Sequence, residues 1–307
     1  MSVQTLAQDE GLKLVEAGLL GDAIVHWRTV LQQQTDDARC HHNLGVALAQ
    51  DGQLEPAAEH LRRAIELHPR YAEGHFNLGN VLLQQRKRGE AVEDFRQALA
   101  IKPDYFDAYM NLGSALTEFG RAREAAVYLQ QAVRLRPASA EAHNNLGLAF
   151  ADQGRWGEAE AAYQRSLELR AGYVEALNNL ASAYGEQDRC AEAEACYEIA
   201  LWHQPDCVSA HWNRALCWLQ AGEFEKGWAE YEWRWRRKQT PERRLPGVRW
   251  RGEAVEGKSI LVHTEQGLGD TLQFVRYAAV LKGRGVRVIL ECPGFLIPLL
   301  KGTPGID

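Results

Sequence analysis

Asn43-Leu44-Gly45 opens a phrase that returns as Asn77-Leu78-Gly79, Asn111-Leu112-Gly113, Asn145-Leu146-Gly147, Asn179-Leu180-Ala181 and Asn213-Arg214-Ala215, each step being 34 residues. Twelve residues after each small residue of the phrase comes another, at Ala57, Ala91, Ala125, Ala159, Ala193 and Gly227. Pro69, Pro103, Pro137 and Pro205 close four of the units, and a divergent first unit fits with Gly11, Ala23 and Trp27. A fixed period of roughly 20 to 50 residues is the mark of stacked supersecondary units, so the chain reads as seven such units over residues 4 to about 240.

The punctuation has a physical reading. Gly45, Ala57 and their equivalents are expected where two helices of a unit cross, because only small side chains let the backbones approach. Gly52, Gly120, Gly154 and Gly222 fall in the turn between helices, where positive φ or a C-cap is needed, and the prolines stop the second helix. Period, glycines, alanines and prolines together resemble the tetratricopeptide repeat (TPR). That resemblance implies a mainly α fold, a right-handed superhelix or α-α solenoid over residues 1–240, whose first helices line an inner groove. Ala171 departs from the pattern at a proline site, Arg214 at a leucine site and Arg234 at an alanine site. The seventh unit therefore reads as a cap, since a terminal repeat has one neighbour and tolerates polar or bulky residues on its open side.

In the repeat family the asparagine before Leu-Gly points into the groove, which implies a ladder of Asn43, Asn77, Asn111, Asn145, Asn179 and Asn213, with Asn144 and Asn178 beside it. A carboxamide carries donors and an acceptor, so it can pair with the backbone of an extended peptide of any sequence. The ladder is similar to that of the O-linked N-acetylglucosamine transferase repeats, which hold polypeptides this way. The plainer alternative is that each asparagine bonds a neighbouring helix. His42, Phe76, Met110 and Trp212 add apolar or aromatic contacts of the kind that anchor interfaces. Glu73, Asp107, Glu141 and Glu175, one turn earlier, imply a groove for basic or neutral peptides, unless they are solvated carboxylates favoured at helix starts.

Composition narrows the function classes. Hydrophobic residues make up 46% and charged residues 25% of the 307, with a formal net charge of -6. Arg234 to Arg251 holds eight Lys/Arg and one acid, leaving the remainder near -13, so the basic charge is local. Nucleic-acid binding would need a basic face across the domain and is not expected. No apolar run is long enough for a membrane span, and the N-terminus lacks a signal-peptide pattern, so a cytoplasmic protein is expected. Cys40, Cys190, Cys196, Cys207, Cys217 and Cys292 lie scattered without metal-ligand spacing, so neither metal nor cofactor is expected.

Beyond the repeats the text changes. Trp228, Tyr231, Trp233 and Trp235 ride with Arg234, Arg236, Arg237 and Lys238 before Pro241 and Pro246, which reads as an amphipathic wedge leading into a basic linker, 241–257. From residue 258 to 307 the pattern is that of an incomplete Rossmann-like α/β segment: a strand at Ser259-Ile260-Leu261-Val262-His263, a helix from Asp270 to Leu281, a strand from Val286 to Glu291 and a short helix from Pro293 to Lys301. Gly267 and Gly269 make a turn at a helix N-terminus suited to a phosphate or other anion, yet Leu272 stands at the third glycine site of a dinucleotide fingerprint.

The stretch from Pro246 to Trp250 and from His263 to Phe274 resembles bacterial repeat proteins carrying a GT-B glycosyltransferase-like domain. In related heptosyltransferases the aspartate of this turn is a proposed catalytic base, which implies that role for Asp270; a helix N-cap is the alternative. A GT-B enzyme binds its donor mainly on a second Rossmann domain, so no complete enzyme is expected here. The leading expectation is a scaffold binding another protein or peptide in the groove. The rivals are the substrate-binding part of a protein-modifying glycosyltransferase and a self-assembling homo-oligomer.

Overall fold

Each unit pairs two helices around one left-handed residue, and that residue recurs in all seven units. Gly18, Gly52, Arg86, Gly120, Gly154, Asp188 and Gly222 have φ between 58° and 83°. At Gly52 the turn closes with Gly52 N–H donating to Ala49 C=O (3.1 Å) and Gln53 N–H to Leu48 C=O (2.9 Å), which satisfies carbonyls the helix end would otherwise orphan. Arg86 repeats the arrangement through Arg86 and Lys87 N–H on Leu83 and Leu82. A residue with a Cβ pays about 1–2 kcal/mol there, so the closure bonds and not residue choice alone fix this turn.

The computed structural model describes residues 3–33, 36–237, 247–248, 250, 252–264 and 267–307. It forms two compact units, Met1–Pro241 and Glu242–Asp307. In the first, the repeats are α1 (Val3–Glu16) with α2 (Leu20–Gln33), α3 (Ala38–Gln50) with α4 (Leu54–Leu67), α5 (Ala72–Gln84) with α6 (Arg88–Ile101), and α7 (Phe106–Glu118) with α8 (Ala122–Leu135). There follow α9 (Ala140–Ala151) with α10 (Trp156–Leu169), α11 (Val174–Gly185) with α12 (Cys190–His203), and α13 (Val208–Gln220) with α14 (Phe224–Tyr231). The fold is thus mainly helical, an α-α solenoid. Helix α10 stops at Leu169 although Ala171 replaces the proline, because Tyr173 N–H bonds Arg170 C=O (3.1 Å), as Ser139 N–H bonds Arg136 C=O (3.1 Å) beside Pro137. No helix among the described residues is long and apolar enough to cross a membrane.

The core of each repeat is one large side chain of the second helix lying against the small residue of the first. Trp27, Leu61, Phe95, Leu129, Tyr163 and Tyr197 are fully buried and stand 34 residues apart. They lie against Gly11, Gly45, Gly79, Gly113 and Gly147: a Cβ at Gly45 would meet Leu61 Cγ at 2.7 Å and Ala57 O at 3.1 Å, and one at Gly147 would meet Tyr163 Cε1 at 2.6 Å. In the sixth repeat Ala181 takes the glycine's place, and Tyr197 there hydrogen-bonds its hydroxyl to Ser182 Oγ (3.2 Å). Six such layers fuse into one continuous apolar core along the array.

The seventh repeat carries its departures as a polar and aromatic cluster. Arg214 donates through Nη2 (2.6 Å) and Nε (3.1 Å) to Glu230 Oε1, with both side chains about 15% exposed. Glu230 also pairs with His211, whose ring stacks on Trp233 at 3.6 Å and 7°. After α14 the chain runs into a 3-10 turn, Glu232–Arg236, that folds back on α13, with Arg237 over Trp212 (4.6 Å) and Arg236 over Trp233 (4.1 Å). Each cation–π contact of this kind contributes about 0.5–1 kcal/mol at an exposed site. The amphipathic segment expected from the sequence is therefore a stacked layer against α13. Lys238, Pro241 and Pro246 lie outside the described residues, as do Glu242, Arg249, Arg251, Glu265 and Gln266.

The second unit is a parallel pair, β1 (Ser259–His263) beside β2 (Arg287–Glu291), in register from Ser259↔Arg287 to His263↔Glu291. The crossover is not the single helix expected over Asp270 to Leu281. It divides into α15 (Leu268–Phe274) and α16 (Tyr277–Gly283), the break at Val275–Arg276 closed by Ala278 N–H on Val275 C=O (3.0 Å). The helix expected from Pro293 to Lys301 divides likewise, into a 3-10 turn Gly294–Leu296 and α17 (Ile297–Leu300). A small core of Ala278, Val286 and Val288, flanked by Ile260, Val262 and Ile306, holds this unit, and Asp307 clamps it by accepting from Val288 N–H (3.0 Å) and Lys282 (2.5 Å).

The helix-crossing layer sets a stability expectation. Gly45→Ala is expected to lower the stability measured by urea unfolding by up to about 2 kcal/mol, because overpacking against Leu61 and Ala57 O costs about 1–3 kcal/mol and the gain in helix propensity offsets about 1 kcal/mol of it. Gly89→Ala, at an exposed helical site with open space around it, should instead raise stability by up to about 1 kcal/mol.

Candidate inner groove of the solenoid

First helices pack on the first helices of the flanking repeats, α3 on α5, α5 on α7, α7 on α9, α9 on α11 and α11 on α13. Second helices pack on the first helices at either side of them. This places the first helices on the inner side of the array, and their residues three, four and seven apart form its lining.

All six asparagines of the ladder are half-buried on these helices, and five of them make the same kind of bond. Asn77 Nδ2 meets His42 Nε2 (2.8 Å), Asn111 Nδ2 donates to Asn80 Oδ1 (2.7 Å), and Asn145 Nδ2 donates to Ser114 Oγ (3.0 Å). Asn179 Nδ2 donates to Asn144 Oδ1 (3.0 Å), and Asn213 Nδ2 to Asn178 Oδ1 (3.3 Å) and Ser182 Oγ (3.2 Å). Every partner belongs to the preceding repeat, either 35 or 31 residues back. Where one of the two positions is apolar, the other is polar: Phe76 with Asn80, Met110 with Ser114, Val46 with His42, Leu148 with Asn144.

The ladder therefore stitches repeat to repeat, as the plainer reading of these residues expected. The bonds also fix the orientation of each amide. Among the described residues the Oδ1 of Asn77, Asn111, Asn179 and Asn213 keeps its lone pairs uncommitted, and Asn77, Asn111 and Asn179 each keep one N–H as well. Asn43, at the head of the ladder, accepts from His42 Nδ1 (3.3 Å).

The other residues singled out from the sequence divide sharply. Asn144 is 0% exposed, with Nδ2 donating to Glu175 (3.2 Å) and Asn145 (3.4 Å); it orients Asn179 and offers nothing to a groove ligand, which corrects its assignment as a peptide contact. Its near twin Asn178 stays half-buried. Phe76 packs on Tyr105 (4.9 Å) and Phe95 (6.0 Å) at the edge of the core, where Met110 also packs, and Trp212 lies between Tyr231 and Arg237. Three of the four helix-start acids are neutralised within their own repeats: Glu73 by Lys102 (3.3 Å), Asp107 by Arg136 (3.8 Å), Glu141 by Arg170. Those cations lie over Tyr105 (4.6 Å), Phe106 (4.0 Å) and Tyr173 (4.5 Å). Paired carboxylates give little net field, so the acids do not by themselves set a preference for basic peptides.

Between α3 and α5 the groove deepens into a cavity of 210 Å³ lined by Val46, Ala49, Gln50, Leu61, Asn77, Asn80, Val81 and Gln84. His42 sits beside it and bridges two rungs. Asn77 Nδ2 can only donate and Asn43 Oδ1 only accept, so the imidazole is neutral with its proton on Nδ1. Burial pushes its pKa below the ordinary value, against the opposing pull of the Asn43 bond and the Glu73 charge.

In the second unit Asp270 is exposed in the first turn of α15 and does not cap it; the N-cap position is Gly267, with no side-chain capping bond. Gly267 and Gly269 are exposed, and the turn is closed by Thr271, whose N–H (3.3 Å) and Oγ1 (3.2 Å) both meet Gly267 C=O.

Comparison with known proteins bears on the first unit. Models of the tetratricopeptide repeat match residues 110–174 and 178–232, and again residues 72–105; a TPR repeat model matches residues 47–85. Together these take in more than half of the sequence. Protein FlbA of Caulobacter vibrioides is 38% identical over 71 residues, which are 22% of this chain and 12% of that protein. Among solved structures, YrrB, described as a TPR protein with an unusual peptide-binding site, aligns with a TM-score of 0.54 at 25% identity, covering 64% of this chain and 98% of its own. A tetratricopeptide repeat protein from Parabacteroides merdae aligns at 0.62 with 15% identity over 74% of this chain and 90% of its own, and MamA at 0.51 with 24% identity over 54% and 91%. At those identities the last two show the shared fold.

The neutral His42 bridge predicts how stability varies with pH. A folded-state pKa held below the unfolded one means that, as pH falls below about 6.5, the unfolded chain takes up a proton that the folded chain resists. Stability present at pH 7 is then lost progressively until the depressed pKa is reached. His60, whose pKa burial also lowers, adds in the same direction. Urea unfolding at pH 7.5, 6.0 and 5.0 should show this decline, with a smaller slope in His42→Gln.

Proposed function

From the premise that the chain is a tetratricopeptide-repeat protein, we propose that its inner groove from repeat 2 to repeat 7 holds an extended polypeptide through backbone contacts to the asparagine ladder. The observation that carries this reading is the residual capacity of the ladder. After each inter-repeat bond is counted, Asn77, Asn111 and Asn179 retain one acceptor and one donor, and Asn213 an acceptor, at multiples of the repeat spacing, the two functions a peptide unit also offers. YrrB, similar to this chain over most of the solenoid, is itself described as having a peptide-binding site.

Because the asparagines also stitch repeats, their removal mixes loss of binding with loss of rigidity. The test separates the two. Asn111→Ala, Asn145→Ala and Asn179→Ala together remove rungs, whereas Ser114→Ala with Asn144→Ala removes only the acceptors behind two rungs. Against a pool of labelled unstructured peptides the triple variant should bind at least about tenfold more weakly across sequences, from three bonds of about 1 kcal/mol each. The acceptor-side variant should lose comparable stability but keep most of its affinity, because neither Ser114 nor the fully buried Asn144 is placed against the peptide. Unchanged affinity in the triple variant would sink the ladder as a peptide site.

A second reading is favoured by the parallel β1–β2 pair with Asp270 exposed at its turn: the solenoid presents a protein substrate for glycosyl transfer, with Asp270 as base and Gly267 and Gly269 facing a phosphate. Mass spectrometry of peptides incubated with the chain and nucleotide sugars would register the transferred hexose, and Asp270→Asn should abolish it. No transfer under any donor tested would reject this reading for the chain.

A further inference from the structure

We infer that the cavity between α3 and α5 is the anchor point for one uncharged, apolar side chain of the bound polypeptide, with the carboxamides on its rim holding the backbone on either side. The inference rests on the peptide-holding reading above and adds the chemistry of the side chain recognised.

Size, charge and polarity of the cavity agree on this occupant. Its floor is Val46, Ala49, Leu61 and Val81, and its rim is four carboxamides. At 210 Å³ it is below the range of roughly 300–1,000 Å³ that small-molecule sites occupy, which fits a single side chain. None of the lining residues is ionisable, so a lysine or glutamate tip would be desolvated without an opposite charge, an unfavourable exchange. Two rim groups are held with one function turned free. Asn77 commits Nδ2 to His42 and keeps Oδ1; Asn80 commits Oδ1 to Asn111 and keeps its Nδ2 hydrogens. Three residues apart on α5, they share one helix face, an acceptor beside a donor, as the N–H and C=O of an extended peptide require.

The apolar floor follows from the stitching rule. At the position where Asn80, Ser114 and Ser182 carry polar acceptors for the next rung, α3 carries Val46, because Asn77 bonds His42 one turn away instead. That exchange leaves an apolar floor under two oriented amides.

The test uses the full chain with its asparagine side-chain amide resonances assigned, titrated with the peptides Ser-Thr-Ser-X-Ser-Thr-Ser in which X is Leu, Met, Ser, Lys or Glu. The Leu and Met peptides are expected to shift Asn77 and Asn80 and to bind about tenfold tighter than the Ser peptide, with Lys and Glu no tighter than Ser. Val46→Trp, which fills the cavity, should erase that preference. Gln84→Glu, on the exposed rim and outside the packed core, serves if the tryptophan variant does not fold: it should cut the preference for Leu and Met and favour Lys. Equal binding of all five peptides, with shifts at Asn111, Asn145 and Asn179, would overturn the anchor and leave the ladder standing. No shift at any ladder asparagine would overturn both.

Discussion

The close crossing of two helices inside each repeat is the constraint on which the rest of this solenoid depends. A glycine in the first helix, or Ala181 in the sixth repeat, makes room for one large buried side chain from the second, from Trp27 through Tyr197. The volume of that side chain varies from leucine to tryptophan while the small residue hardly varies, so the backbone approach is held and the filling adapts. With the pair angle fixed in this way, each first helix turns the same stripe inward, and the asparagines fall into line. Had the glycines varied instead, the stripe would wander and no ladder could form.

The inner surface is then a compromise between cohesion and recognition. At least one N–H of each rung from Asn77 to Asn213 goes to the previous repeat, which rigidifies the array and also orients the amide; at Asn77, Asn111 and Asn179 one N–H and the Oδ1 stay uncommitted. The helix-start acids show the opposite outcome, since Lys102, Arg136 and Arg170 consume their charge within the same repeats. A groove lined by oriented amides and self-paired acids suits the proposed reading of a backbone rather than of a charge pattern, and on the same proposal the 210 Å³ recess at Val46 is where side-chain discrimination enters.

Much of this was legible in the sequence, and the exceptions are instructive. The 34-residue period, the small residues at the helix crossings and the left-handed glycine turns follow from spacing alone, and Arg86 and Asp188 keep that turn because neighbouring backbone bonds impose it. The alternation of partners at 35 and 31 residues was also present in the letters, but it shows only when two offsets are compared across repeats. Asn144 and Asn178 look alike in sequence, yet one is fully buried and the other is not, a difference set by Glu175 reaching Asn144. The break of the crossover helix at Val275–Arg276 had no proline or glycine to announce it; backbone turn bonds, which leave no mark in composition, make it.

The stitching has a mechanical consequence. Amide hydrogen bonds and direct helix contacts join the first helices from one repeat to the next, whereas the second helices meet their successors through an intervening first helix and through surface ion pairs, Arg62 with Glu90 and Arg96 with Glu124, of a kind that contributes little. The inner rail is thus the stiff side of a bimetal-like strip and the outer side the compliant one. Deformation that fans the outer helices apart leaves every rung bonded, while deformation that lengthens the groove must break rungs one by one. The solenoid should tighten or relax its curvature with the ladder's pitch held nearly constant, so that a chain laid along it keeps its register as the spring breathes.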